Sequence, residues 1–388
     1  MRWLTTISLG FGALARLAHA TSCTGVSAVS PNCTSKEVAY KRDYFYIGGE
    51  YVYSESLSGS IFSDQLYVEK LTPQTGVNQT NPIVFISAGV PSGAVWLNTL
   101  DNRRGWASYF LDHGYQVYIL DITSVGRSSQ PQFSIYPLKI GSTDNITRNC
   151  YTSPETIMPY PQAINHTQWP GTGIRGDAIF DSFMASMIPL TSNATSLELS
   201  MRKAGCQLLE MIGSSFLISH SAGSTYATLL SDQCPNLIKA NVNIEPGNTP
   251  FQSLVGNSTV PAVGRTSARP YGLTTTEIGY VPALNSSADL ETVWVGDDLA
   301  GNRSCVMQTE PARQLPNIAK VPYVAITGAA SPHITYDHCI INYLKQVGVD
   351  PEWIKLEDRG ILGNGHFMYL EKNSDEIAAV VLEWMQSR

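Results

Sequence analysis

The sequence predicts an α/β fold: a mostly parallel central sheet covered by helices on both faces, with insertions forming a lid. Two observations predict it. An aromatic-rich antiparallel start is followed by apolar strand runs alternating with amphipathic helices. The small and reactive residues Gly89, Ser221, Glu245 and His366 all fall just after strand-like runs. In sheets of this kind, sites collect beyond the carboxyl ends of the strands.

The elements follow in order. "RDYFYIGGEYVYSES" alternates aromatic and polar residues around Gly48-Gly49 and reads as a hairpin. "PIVFISAG" (82–89) is a continuous apolar run ending in small residues, the mark of a buried parallel strand. "RGWASYFLDHG" reads as helix and "YQVYILD" (115–121) as the next strand. Residues 130–195, rich in Pro, Ser, Thr, Asn and Tyr, carry no clean period and read as a surface excursion. Leu197, Met201, Ala204, Leu208 and Met211 then form one helix face, and "SSFLIS" a strand. "AGSTYATLLSD" reads as helix and "IKANVNI" (238–244) as strand, before a second excursion over 247–320. Strand "VPYVAIT", a helix near 335–347, strand "WIKLE" and loop "DRGILGNGH" complete the alternation. Asn373 with Glu376 suggests a capping box for a last helix with Ile377, Val380, Val381 and Trp384 on its apolar face.

With 388 residues and 43% hydrophobic content, the chain can bury a large core. The net charge of −7 and the absence of a long basic run argue against nucleic acid as a partner. "MRWLTTISLGFGALARLAHA" has a basic start, a short apolar stretch and an Ala18-His19-Ala20 cleavage site, so residues 1–20 read as a secretory signal peptide. The apolar run is too short for a membrane anchor, and residues 21–388 are expected as one secreted catalytic domain. Sequons at Asn32, Asn78, Asn145, Asn165, Asn193, Asn257, Asn285 and Asn302 predict N-glycosylation. Among 7 cysteines at least one lacks an intrachain partner, and Cys23 with Cys33 is the plausible local bridge. No cofactor is implied, and no cysteine spacing suggests zinc.

The chemistry centres on "SHSAGS". Ser221 lies between a buried strand and a helix, the setting of a nucleophile elbow, although Ser219 stands where G-x-S-x-G has its first glycine. A serine needs a base, and His366 follows in the order Ser, acid, His; adjacent His220 points elsewhere and packs beside the site. Two acids compete. Glu245 ends the strand after the nucleophile's helix, and Asp337 follows the next strand but already lies on a helix. Backbone N–H groups of Ala222 and Val90 are placed to bind an oxyanion. His333 and Asp337, four apart, lack further ligands for a metal site.

"SAGVPSGAVWLNTLDNRRGWASYFLDHGYQVYILDITSVGRSS", "SHSAGS", "NIEPG", "ITGAASPHITYDH" and "GNGHF" together resemble the α/β-hydrolase superfamily. More narrowly they are similar to its esterase 713-like branch, in which the acid is a Glu after strand six. The Trp96, Asp101, Arg104-Gly105-Trp106 block is the most specific part; the excursions lie outside the likeness. Members commonly have His-Gly at Ala88-Gly89 and Gly at Ser219. The resemblance implies hydrolysis of a small-molecule carboxylic ester or lactone through an acyl-enzyme, with Ser221, Glu245 and His366 as triad. An acyltransferase or cyclase on the same fold, or a non-catalytic binding protein, are the rival expectations. Tyr151, Tyr160, Trp169 and Tyr271 are candidates for an apolar pocket beneath the lid.

Overall fold

A computed structural model describes residues 23, 25–87, 91–254 and 265–388. The segment 1–20 expected as a signal peptide, the sequon Asn257 and residues Ala88, Gly89 and Val90, with the expected oxyanion donor, lie outside the described residues.

Eight strands form the central sheet: β1 (Tyr40–Ser54), β2 (Gly59–Pro73), β3 (Ile83–Ile86), β4 (Val117–Asp121), β5 (Ser215–His220), β6 (Ile238–Ile244), β7 (Tyr323–Thr327) and β8 (Pro351–Lys355). Their spatial order is β1-β2-β4-β3-β5-β6-β7-β8. β1 pairs antiparallel with β2 and β2 with β4, and every later pairing is parallel. The connections carry five core helices: α1 (Trp106–Asp112), α2 (Ala194–Ile212), α3 (Gly223–Gln233), α4 (Asp337–Gln346) and α5 (Ser374–Gln386).

Alternation along the strands divides the core into two layers. Val84, Ile86, Leu120, Leu217 and Ala325 face the side of α2, α3 and α4, meeting Met201, Leu208, Ala227 and Ile340. Ile83, Phe85, Ile119, Ile218, Val242 and Ile326 face α1 and α5, meeting Trp106, Phe110, Ile377 and Val381. Trp96 completes that layer, stacked 4.6 Å from Phe85 and 4.4 Å from Tyr369.

Two local expectations change. The Gly48-Gly49 pair is not a turn: β1 runs through it, and the chain reverses at Glu55–Leu57. Gly48 pairs with Gln65 and Glu50 with Ser63, so Gly49 and Asp64 form an irregularity in the ladder with positive φ of 79° and 71°. A side chain at Gly48 would collide with Ala204 of α2, which is why glycine stands there. At α5, Asn373 occupies the N-cap without a side-chain cap bond. Its Oδ1 accepts instead from Asn364 Nδ2 at 2.6 Å, which ties the helix start to the loop carrying His366.

The excursions hold short pieces of structure: a helix at Ala178–Ala185 in the first and a hairpin, Thr292–Val295 with Cys305–Gln308, in the second. Disulfides join Cys23 to Cys33, Cys206 to Cys234 and Cys305 to Cys339, leaving Cys150 as a buried thiol. The second ties α2 to the end of α3. Asn32, Asn78, Asn145, Asn165, Asn285 and Asn302 are exposed, whereas Asn193 is partly buried and caps α2 by accepting from Ser196 N–H at 3.1 Å. No helix of the described residues is long and apolar enough to cross a membrane.

Candidate active site

The site is built where β5 turns into α3. Ser221 has φ 52°, a left-handed conformation uncommon for a non-glycine residue, and its N–H donates to Ile244 O at 3.0 Å. Its carbonyl accepts from Gly247 N–H at 2.8 Å, closing the turn against the segment after β6. Space forces the glycines: a Cβ on Gly223 would lie 2.7 Å from Ile86 O, and one on Gly247 2.7 Å from Ala222 N. Ser219, which replaces the pattern's first glycine, is fully buried and donates to Asn243 Oδ1 on β6 at 2.8 Å. The neighbouring strand thus supplies the partner that a buried hydroxyl needs.

Glu245 follows β6 in the same left-handed region, φ 49°, and is completely buried. Its Oε2 lies 2.9 Å from His366 Nδ1, and its Oε1 accepts from Gly328 N–H at 2.8 Å. Ser331 Oγ also donates to Oε2. Burial raises the Glu245 carboxyl above the usual range, helped by the nearby Asp337 charge and opposed by His333 and by the Ser331 and Gly328 donors. Burial also drives the His366 imidazole well below its ordinary value, and His220 and His333 push the same way. The donor set decides the carboxyl's state: three donors converge on its two oxygens, an arrangement suited to a carboxylate.

Asp337 does not reach His366. Its Oδ1 faces His333 Nδ1 at 2.8 Å and its Oδ2 accepts from Thr327 Oγ1 at 2.6 Å. The His333 ring stacks on His366, centroids 4.8 Å apart, so two histidine–carboxylate pairs lie side by side. Asp337, ahead of Glu245, raises the basicity of His333 against the desolvation that lowers it. Glu245, His333 and His366 offer donor atoms all within 4.8 Å of one another, the set among the described residues that could hold a metal here. His220, expected beside the site, is buried there: its Nε2 lies 2.9 Å from His366 O, its ring centroid 4.5 Å from that of His366, and burial lowers it to about 3.

Sequence reasoning missed the anchor of the His366 loop. Glu371, fully buried, accepts from Gly365 N–H at 2.9 Å and Asn364 Nδ2 at 2.7 Å, and its Oε1 meets His166 Nε2 at 2.9 Å. His166 Nδ1 in turn faces Glu155 at 2.9 Å, so the first excursion is latched to this loop. No local pattern marks either residue; only their burial as charged groups reveals them.

Ser221, His366, Ala222 and His333 line one cavity of about 190 Å³. Among the described residues no hydrogen bond joins Ser221 to His366, a looseness common before substrate binds. The Ala222 backbone N–H makes none either, and is open to the cavity. Of the four aromatics expected to line it, Tyr151 and Tyr160 do, with Tyr151 stacked 4.9 Å from His366. Trp169 instead packs on Phe183 in the core, and Tyr271 packs against the α2–α4 layer.

No protein-family model matches the chain. It is 40% identical over 346 residues to the probable secreted lipase phiG of Fungal sp. (strain ATCC 74256), a match covering 89% of each protein. Among solved structures it resembles one described as a novel bacterial esterase, with a TM-score of 0.58 and 20% identity over 92% of this chain and 99% of that one. That likeness concerns the fold.

Proposed function

The chain belongs to the α/β-hydrolase superfamily, and on that premise we propose that it is a secreted serine hydrolase of carboxylic esters or lactones. The observation that carries the reading is the buried Glu245 Oε2 to His366 Nδ1 contact of 2.9 Å, with His366 lining the same cavity as a strained Ser221. In this reading Ser221 Oγ attacks the ester carbonyl while His366 Nε2 takes its proton. Glu245 holds Nδ1–H, fixing the tautomer that leaves Nε2 free to accept. The oxyanion rests on the N–H groups of Ala222 and Val90. Collapse expels the alcohol, which receives the proton from His366, and water repeats the sequence to release the acid. A lactone follows the same steps with its alcohol tethered.

Tyr151 and Tyr160 bring the first excursion over the cavity, so 130–195 and 247–320 act as the lid and shape the acyl or alcohol pocket. A cavity near 150 Å³ takes a benzene ring. A compact acyl or alcohol group fits the present one. The export leader over residues 1–20, glycans on the exposed sequons and the three disulfides agree with an extracellular setting. The test is a fluorophosphonate probe with Ser221→Ala. Wild-type protein should be labelled on Ser221, and the variant should lose both label and hydrolysis, by about 10⁶-fold in turnover, while melting normally. A folded Ser221→Ala protein that still hydrolyses esters overturns the assignment.

A further inference from the structure

One cation in this cavity has no counter-ion among the described residues. Arg269, at φ 50° within the second excursion, lines the cavity that holds Ser221 and His366. Its Nε donates to Thr249 O at 2.8 Å and its Nη2 to Gln252 O, which fixes the plane of the guanidinium. Nη1 makes no hydrogen bond among the described residues, and no carboxylate lies within ion-pair distance. Glu198, the acid whose field reaches it, is spent on Thr275 N–H and on the N–H and hydroxyl of Thr276. No Asp or Glu lines the cavity wall.

Several other arginines near the core are ion-paired. Arg127 pairs with Glu69 and Asp121, Arg103 with Asp101, and Arg104 with Asp112 and Asp375. Arg269 is partly buried, and leaving even a partly desolvated guanidinium without a counter-ion carries a cost. Burial lowers Arg269 to about 10, still charged at neutral pH. The left-handed backbone at Arg269 adds a second cost of the kind that collects at ligand sites. A cation held by two carbonyls, strained in its backbone and open on one nitrogen toward a cavity without acids, is arranged to receive an anion. The free Nη1 of a guanidinium suits a carboxylate oxygen as a charge-assisted donor.

We infer that Arg269 is a specificity-determining residue, and that the esters taken by this cavity carry a free carboxylate that binds Arg269 Nη1 while the ester carbonyl meets Ser221. The inference rests on the hydrolase reading above and names its substrate class: half-esters of dicarboxylic acids, or lactones bearing an acid group. Arg269 touches the substrate's remote end and takes no part in bond making.

The experiment compares matched pairs, the monoethyl esters of succinic, glutaric and adipic acid against the same ethyl esters with the free acid replaced by a primary amide. Hydrolysis is followed by pH-stat on the full mature protein. At least one acid should exceed its amide by tenfold or more in kcat/KM in the wild type. Arg269→Met should reduce that ratio to within about twofold of one, and Arg269→Lys, a point charge whose position the two carbonyls no longer fix, should leave it intermediate. Because Arg269→Met also removes two anchors of its segment, calorimetric binding of each pair to Ser221→Ala protein supplies a second reading that needs neither turnover nor an altered Arg269. There the acid should bind at least tenfold tighter than the amide. Equal or weaker handling of the acids by wild type and by Ser221→Ala protein overturns the inference while leaving the hydrolase reading intact. Calorimetric preference for the acid without hydrolysis of any ester would sustain the anion site and sink the hydrolase reading.

Discussion

The contrast between Glu245→Gln and Asp337→Asn tests the proposed acid most directly. Glu245 Oε1 receives Gly328 N–H at 2.8 Å and Oε2 receives His366 at 2.9 Å, so both oxygens face donors. A glutamine in the same place has one acceptor and one NH₂ group. The Gly328 amide is backbone and cannot invert, so the glutamine oxygen should stay there and the NH₂ should face His366 Nδ1. That favours the tautomer with Nδ1 bare and Nε2 protonated, which cannot take a proton from Ser221. A wrong tautomer costs about 10⁴ in turnover in a comparable triad, or about 5 kcal/mol of barrier at 1.36 kcal/mol per tenfold. Glu245→Gln should therefore lower kcat by about 10³ to 10⁴ with KM little changed. Asp337 serves His333 and Thr327 instead, so Asp337→Asn should cost less than about tenfold. Steady-state kinetics on a chromogenic ester, with melting curves on all proteins, measures both. If folded Glu245→Gln kept turnover within tenfold of wild type while Asp337→Asn lost a thousandfold, the acid would be Asp337, and the tautomer argument would be wrong.

Three further outcomes are expected. Burial and the neighbouring His220 and His333 hold His366 well below its ordinary value, so the base stays neutral into mild acid. The acid limb of kcat/KM should have its midpoint below the usual histidine value of about 6.5, and a midpoint above 7 in a pH profile would contradict this. His166 behaves oppositely: burial disfavours its cation, but bonds to Glu155 and Glu371 outweigh that and raise it to about 9. A raised folded value means that its stabilisation is fully present below about 6.5 and is lost as pH climbs through about 9, at most about 3 kcal/mol. Melting temperatures should fall over that window in wild type and change less in His166→Gln; parallel curves would refute the latch. Mature protein should begin near Thr21 and lose mass on enzymatic deglycosylation, whereas an intact Met1 and unchanged mass would mean that the leader and sequons were misread.

The sheet was legible because its signals are local. The apolar runs gave the buried strands Ile83–Ile86 and Val117–Asp121, and Leu197, Met201, Ala204 and Leu208 form one buried helix face, although Met211, read as its last member, is exposed. The Gly48-Gly49 reading failed because Gly48 answers to Ala204, more than a hundred residues away, and Gly49 to Phe62 and Ser63 on the paired strand, approaches that no turn chemistry records. The sequence could bring Ser221, Glu245 and His366 together because each ends a strand or occupies the loop after one, where topology limits what a side chain can face. Glu371, His166 and Arg269 were not found. Their significance lies in which partners they have or lack after folding, and a charge in an irregular segment looks the same in sequence whether it is solvated or buried.

That difference shows how the site is held. Ser221 and Glu245 each adopt a left-handed backbone at the ends of neighbouring strands β5 and β6, and two such residues cost on the order of 1–3 kcal/mol apiece. The strain persists because the two turns brace each other: Ser221 N–H reaches Ile244 O, the residue before Glu245, and Gly247 N–H returns to Ser221 O. Strand register therefore fixes the separation of the proposed nucleophile and acid. His366 comes from a long loop with no strand to align it, and its position depends on Glu371, Asn364 and the carbonyl contact with His220. Loosening the latch at His166 should accordingly disturb His366 before it disturbs Ser221 or Glu245. The first excursion and the proposed base share an anchor, so in this reading the excursion also governs whether His366 stands in line with Ser221.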